Sequence, residues 1–274
     1  MTRRSFFPTA AAPLAAGTLS AQPKGRLKQS VSRWCYNKYP LDELCKLAQR
    51  IGLVGIDLLG PADWPLVQQH GLIPTMGSIS AKTGPLNRKE NHDQIEKAYR
   101  EGIEAAAAAK IPNLIVMSGN STGMSKAEGL ENCAAGLKRI KPIAEDKGVT
   151  VCLELLNSKV DHKDYMCDST AWAVDVVKSV DSPRIKLLYD IYHMQIMEGD
   201  VIRTIRDNIK WIGHFHTGGN PGRHEIDDTQ ETNYRGVAKA IADLNFEGYF
   251  AHEFVPSRPD PIASLEQAYQ ICLV

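Results

Sequence analysis

Eight short apolar runs alternate with eight helix-like segments along this chain, and that alternation limits its architecture more than any other feature. The runs cover residues 30–37, 54–60, 73–79, 113–119, 150–157, 185–193, 209–218 and 248–256. Segments of helical character follow them at 41–51, 64–70, 92–110, 126–147, 169–180, 200–208, 234–244 and 261–272. In the third of these, Ile95, Ala98, Tyr99, Gly102, Ile103 and Ala106 fall on one face, the 3.6-residue period of a helix. Strands alternating with helices pair in parallel, because each helix returns the chain to the end where the previous strand began. Eight such units in residues 30–274 predict a single α/β domain, a parallel (β/α)8 barrel. An open doubly wound sheet is the alternative. It is disfavoured because no Gly-x-Gly-x-x-Gly follows the first run and no phosphate loop is present.

In such a barrel the loops after the strands build the site. The longer ones here are 80–91, 158–168 and 218–233. Four consecutive runs in the second half carry a polar residue near the C-terminal end: Glu154, Asp190, His216 and Glu253. Side chains alternate along a strand, so Cys152 shares a face with Glu154, Leu188 with Asp190, and His214 with His216. The neighbours between them are mostly apolar and suit contact with helices. The four polar residues are therefore expected inside the barrel near its top, sharing one divalent ion. Three carboxylates and one imidazole suit Mn²⁺, Mg²⁺ or Co²⁺. His193, just beyond the sixth run, and Arg223, in Asn-Pro-Gly-Arg-His-Glu, are candidates for gripping a substrate oxygen or carboxylate. Trp34 and Tyr36 on the first run are either an apolar wall of the site or plain core. His162, His224 and His252 read as structural. Glu231 is either an acid behind the site or an exposed loop acid.

Composition narrows the partners. The chain is 43% hydrophobic and 23% charged, with a formal net charge of zero. There is no basic stripe for nucleic acid and no apolar stretch long enough to span a bilayer. The partner is expected to be a small molecule, and a homo-oligomer stays open. The first 29 residues are expected to lie outside the barrel, as a signal peptide and linker. Residues 1–21 contain Thr-Arg-Arg-Ser-Phe-Phe, an Ala-rich stretch and no acid, which resembles a bacterial twin-arginine export signal. A helical or disordered extension is the other reading. A functional signal implies a periplasmic or secreted protein, and otherwise a cytoplasmic one. Its removal deletes Arg3 and Arg4 and leaves a net charge of about −2. The six cysteines form no Cys-x-x-Cys pair, so a structural zinc site is not expected; Cys35 and Cys152 read as buried thiols, and no disulfide is predicted.

Several motifs carry a resemblance. Leu-Glu-Leu-Leu-Asn at Glu154, Tyr-Asp-Ile-Tyr-His at Asp190, His-Phe-His-Thr-Gly at His216, Asn-Pro-Gly-Arg-His-Glu, and Glu-Thr-Asn-Tyr at 231–234 resemble the xylose isomerase-like TIM barrels. Within that superfamily, residues 30–274 look most like hydroxypyruvate isomerases, with tagatose and psicose 3-epimerases as near relatives. His216 is closer to the epimerase pattern. The resemblance implies an isomerase that moves a proton next to a carbonyl through an enediolate. It makes Glu154 and Glu253 metal ligands as well as base and acid. It gives His193 and Arg223, with Trp34 as a wall, to a keto-acid or ketose. Hydroxypyruvate going to tartronate semialdehyde is the leading reaction, and ketose 3-epimerisation the alternative. Two other classes compete: an endonuclease IV-like repair enzyme, which needs more metal ligands and a basic groove, and a non-catalytic sugar-binding module, which does not need two opposed glutamates on a metal.

Overall fold

The computed structural model describes residues 24–79 and 83–274. The expected export segment at 1–21 lies outside them, as do residues 80–82 of the first long loop. The strands are β1 (Lys28–Ser32), β2 (Gly55–Asp57), β3 (Ile73–Pro74), β4 (Asn113–Val116), β5 (Thr150–Glu154), β6 (Ile185–Asp190), β7 (Ile212–Thr217) and β8 (Tyr249–His252). The helices are α1 (Leu41–Ile51), α2 (Trp64–Gln69), α3 (His92–Ala108), α4 (Lys126–Lys147), α5 (Thr170–Val180), α6 (Ile191–Met197), α7 (Val201–Asn208), α8 (Tyr234–Asp243) and α9 (Pro261–Ile271). All strand pairs are parallel, in the order β3-β2-β1-β8-β7-β6-β5-β4.

Gly77 closes the ring between β3 and β4 by bridging Leu59 on one side and Leu114 on the other. Its N–H donates to Asn113 O at 2.8 Å, and its carbonyl accepts from Ile115 N at 3.1 Å. A Cβ here would lie 2.6 Å from Leu114 Cδ2 and 2.9 Å from Trp64 Cζ2, so the closure requires glycine.

The helix boundaries follow local chemistry. Helix α1 buries Leu44, Cys45, Ala48 and Ile51 at helical spacing and stops at left-handed Gly52. Helix α4 starts where Ser125 accepts from Glu128 N, and α9 where Asp260 accepts from Ile262 and Ala263 N. The main apolar core lies between the strands and the helices. A smaller cluster of Met76, Cys152 and Leu188 fills the inside of the barrel. Each fully buried Leu, Ile or Phe contributes about 1.5–3 kcal/mol. The two ends of the described chain meet at the N-terminal face, where Arg26 N donates to Val274 O at 2.8 Å.

Three local expectations need correction. The first run is strand only to Ser32. Residues Arg33–Tyr36 form a 3₁₀ turn, so Trp34 and Tyr36 are not on β1. Residues 209–211 also form a 3₁₀ turn, ahead of β7. The sixth run breaks at Asp190, and what looked like its tail is helix α6. A bulge lies between β6 and β7, where Leu187 pairs with Ile212 and Leu188 with His214. Gly213 is the extra residue, and a Cβ there would come within 2.9 Å of Lys186 Cβ.

Candidate metal centre and active site

Strands β5 to β8 are neighbours, and their register sets the site. Glu154 ends β5 and Asp190 ends β6. Asp190 pairs with His216 across to β7, and Glu253 N donates to Thr217 O at 3.0 Å just beyond β8. The structure brings the four expected groups together: one O or N atom from each lies within 4.8 Å of the others, and all four residues are buried.

His216 is the centre of the cluster. Its Nε2 lies 2.8 Å from Asp57 Oδ2, an acid reaching across from β2. Its Nδ1 lies 2.8 Å from Glu253 Oε2 and 3.3 Å from Glu154 Oε1. Asp57 also meets His214 Nε2 at 3.1 Å and accepts from Thr75 Oγ1 at 2.6 Å. A neutral His216 ring whose Nε2–H donates a hydrogen bond to Asp57 turns the Nδ1 lone pair toward two carboxylates. That arrangement needs positive charge between them. Burial disfavours a charged ring here, but Glu253, Asp57 and Glu154 outweigh it and hold the His216 pKa well above its usual value. Burial pushes the Asp190 carboxyl up and Glu253 adds to this, while Arg223 pulls it back, leaving it at about 7. Among the described residues, buried Asp190 Oδ2 has no hydrogen-bond partner, and buried His216 Nδ1 faces the two glutamate oxygens. A field that would trap a proton here would also trap a cation. The donor set of three carboxylates and one imidazole therefore fits a divalent ion, with Asp57 orienting the imidazole from behind.

Glu253 is held at both oxygens. Trp34 Nε1 donates to Oε1 at 2.6 Å, and Arg223 Nη2 donates to Oε2 at 2.6 Å. Burial alone would raise the Glu253 pKa, but the His216 and Arg223 charges and these hydrogen bonds bring it far below the carboxylate range. Arg223 is sandwiched between Trp34 and Tyr192, its Cζ 5.2 Å and 5.5 Å from the two ring centres. It adopts a left-handed φ of +60°, and its N–H and C=O are fixed by Gly219 O and Val255 N. A non-glycine residue in that conformation stores about 1–3 kcal/mol, a cost often found where a side chain must be aimed. Arg223 Nε is buried and unpartnered.

His193 sits in the first turn of α6, where Asp190 caps the helix by accepting His193 N at 3.2 Å. Its Nδ1 lies 2.6 Å from Asn157 Nδ2, and its buried Nε2 has no hydrogen-bond partner. Trp34 is 40% exposed, so it is neither strand residue nor plain core; it lies beside Glu253 and Arg223. Tyr36 is core, edge-on to Phe254.

The remaining candidates fall outside the cluster. His252 is buried between Thr217 and Gln29, and His224 is at the rim against Val255 O. His162 stands edge-on to His193 at 5.2 Å between ring centres. Glu231 is an exposed loop acid, accepting from Asn220 and Gln195. Cys152 is buried as expected, Cys35 is half-buried, and all six cysteines are free thiols. Two site residues were missed by sequence reasoning. Asp57 was signalled only by being the one charged residue in the apolar run 53–59, and Asn157 only by following Glu154 at a strand end. Beside the cluster, Trp34, Leu58, Ile79, Leu86, Ile115 and Met117 line much of a cavity of about 590 Å³.

Comparison with known proteins agrees with this geometry. The chain is 25% identical over 240 residues to a 2-oxo-tetronate isomerase of Pectobacterium atrosepticum, covering 81% of this chain and 88% of that protein. It is 27% identical over 175 residues to a Danio rerio protein provisionally named hydroxypyruvate isomerase, covering 59% of this chain and 62% of that one. The fold matches the crystal structure of a family 2 AP endonuclease from Brucella melitensis, with a TM-score of 0.79 at 24% identity over 88% of this chain and 96% of that one. Because the xylose isomerase-like TIM barrel family matches residues 32–271, nearly all of the barrel, this chain belongs to that family.

Proposed function

We propose that this protein is a metal-dependent isomerase of a small α-hydroxy keto-acid, interconverting hydroxypyruvate and tartronate semialdehyde or a close analogue. The reading is carried by Glu154 and Glu253, which approach His216 Nδ1 from β5 and from beyond β8 at 3.3 Å and 2.8 Å. The relatives named isomerase support the reaction class.

Glu154, Asp190, His216 and Glu253 would hold the ion. A divalent ion bound there supplies Lewis acidity that makes a C–H next to a carbonyl acidic enough to lose its proton. The two glutamates differ in readiness. Both Glu253 oxygens are engaged by Trp34, Arg223 and His216, whereas among the described residues the Glu154 carboxylate is paired with His216 alone. Glu154 is therefore the base that takes the proton from carbon. Glu253, ionised on the other side, takes the proton of the hydroxyl that becomes the carbonyl and gives it to the neighbouring carbon, while the proton on Glu154 goes to the former carbonyl oxygen. Arg223 Nε and His193 Nε2 are two buried nitrogens without hydrogen-bond partners among the described residues, suited to the substrate's carboxylate and carbonyl oxygens.

A second reading, a ketose 3-epimerase, is favoured by the cavity of about 590 Å³ next to Trp34, which exceeds what a three-carbon acid fills. Solvent exchange tests both. Protein saturated with Mn²⁺ or Mg²⁺ is incubated in D₂O with hydroxypyruvate and, separately, with five- and six-carbon ketoses. Deuterium entering carbon next to the carbonyl only with protein and metal supports the isomerase class, and the substrate that exchanges selects the reading. No exchange in any three- to six-carbon keto-acid or ketose overturns both.

A further inference from the structure

Asn157 follows β5 in the loop above the cluster and is fully buried. Its amide has all four hydrogen-bonding positions filled. Oδ1 accepts from Val160 N at 2.9 Å and Asp161 N at 2.8 Å. Nδ2 donates to Asp161 Oδ2 at 2.7 Å and faces His193 Nδ1 at 2.6 Å. The amide cannot be turned over. Turning it would set Nδ2 against two backbone N–H donors and Oδ1 against the Asp161 carboxylate, which also accepts from Tyr192 OH at 2.8 Å.

This fixes the proton on His193. A ring nitrogen facing an N–H donor must be an acceptor, so Nδ1 carries a lone pair and the proton sits on Nε2. An imidazolium would bring two N–H groups together. The Nε2–H has no hydrogen-bond partner among the described residues, and Asp190 Oδ2 is 3.6 Å away. A buried donor left unpaired costs about 1–3 kcal/mol. Here it is aimed beside the acids that move the proton.

We propose that Asn157 is a positioning residue that holds His193 as a neutral Nε2–H donor toward the substrate oxygen on which charge grows as the C–H proton leaves. His193 then serves as a hydrogen-bond donor and not as a base. The opposite assignment would hold at His216 with an ion in place of its second proton: Nε2–H on Asp57 would leave the Nδ1 lone pair for the ion. One site would then contain two imidazoles set to opposite duties by Asn157 and Asp57.

Only the effect on turnover rests on the isomerase reading; the tautomer does not. The test uses the full chain, ¹⁵N-labelled at histidine rings and loaded with diamagnetic Mg²⁺, with the His193 signals identified by their loss in His193→Gln. Two-bond ¹H–¹⁵N spectra should show His193 protonated at Nε2 alone. Asn157→Asp keeps an oxygen that accepts from both backbone N–H groups but places an acceptor against Nδ1. The ring should then carry a proton at Nδ1, and kcat should fall about 10²–10³-fold, the loss typical of one oxyanion donor, while KM changes far less. The new carboxylate would also repel Asp161. The double variant Asn157→Asp/Asp161→Asn removes that repulsion and should recover the melting temperature while kcat stays low. A parental His193 spectrum showing Nδ1–H or imidazolium overturns the proposal. So does an Asn157→Asp protein with the parental tautomer or parental kcat, or a double variant that recovers turnover with its stability. If no substrate is turned over at all, the isomerase reading fails and the spectra still decide the tautomer.

Discussion

Strands β5 to β8 supply Glu154, Asp190, His216 and Glu253, while β1 to β4 and their loops supply Asp57, Trp34 and most of an apolar cavity wall. The two halves are built differently. Strands β5, β6 and β7 have five, six and six residues, whereas β2 and β3 have three and two. Long paired strands hold side chains at fixed depth, which a shared ion requires. Short strands give way early to loops, which leave space beside the cluster. The contrast separates a half that fixes the reacting groups from a half that shapes what reaches them.

The strongest way to break this contrast is to remove the acids of the β5–β8 half. Glu154→Gln and Glu253→Gln should each lower kcat by about 10²–10⁴-fold, the range for a lost acid–base group. The assay needs saturating Mn²⁺ and a measured metal content, because weaker metal binding would mimic the effect. A fully loaded Glu253→Gln protein with near-parental kcat would reduce Glu253 to a ligand.

A smaller effect tests whether the β1–β4 half reaches into the site. Asp57 lies across the barrel and contributes through His216. Asp57→Asn should weaken Mn²⁺ binding by about 10–100-fold, as measured by calorimetric titration, with the fold retained. Unchanged affinity would show that the imidazole keeps its orientation without help from β2.

The gentlest test lies at the seam between the halves. His252 on β8 bonds Gln29 of β1 and Thr217 of β7. Burial lowers its pKa to about 3. The unfolded chain therefore binds a proton below about pH 6.5 that the folded protein refuses, so stability is lost as pH falls from there toward 3. His252→Gln should flatten the acid side of the stability curve by up to about 1.4 kcal/mol per pH unit, seen in urea unfolding between pH 4 and 7. An unchanged slope would mean that His252 is protonated in the fold.

Much of this was legible because strand alternation is a local property. Cys152 with Glu154, Leu188 with Asp190 and His214 with His216 follow from a period of two, and eight alternations of strand and helix led to the barrel. Partners distant in sequence were not legible. Asp57 meets His216 across 159 positions, and Asn157 meets His193 across 36. Helix α6 was hidden because Ile191-Tyr192-His193-Met194 is as apolar as the strand before it. Asp190 was the available signal, an N-cap three residues ahead of His193. Trp34 was misplaced because Arg33–Tyr36 carries neither glycine nor proline to mark its turn.

The hydrogen bond from Arg26 to Val274 has a practical consequence. It ties the start of the described residues to the C-terminus at the foot of the barrel, while Glu154, Asp190 and Glu253 stand at the opposite mouth. A tag, fusion partner or surface tether attached after Val274 would hang below the barrel. The molecule can be moored from that side with its entrance facing the solution.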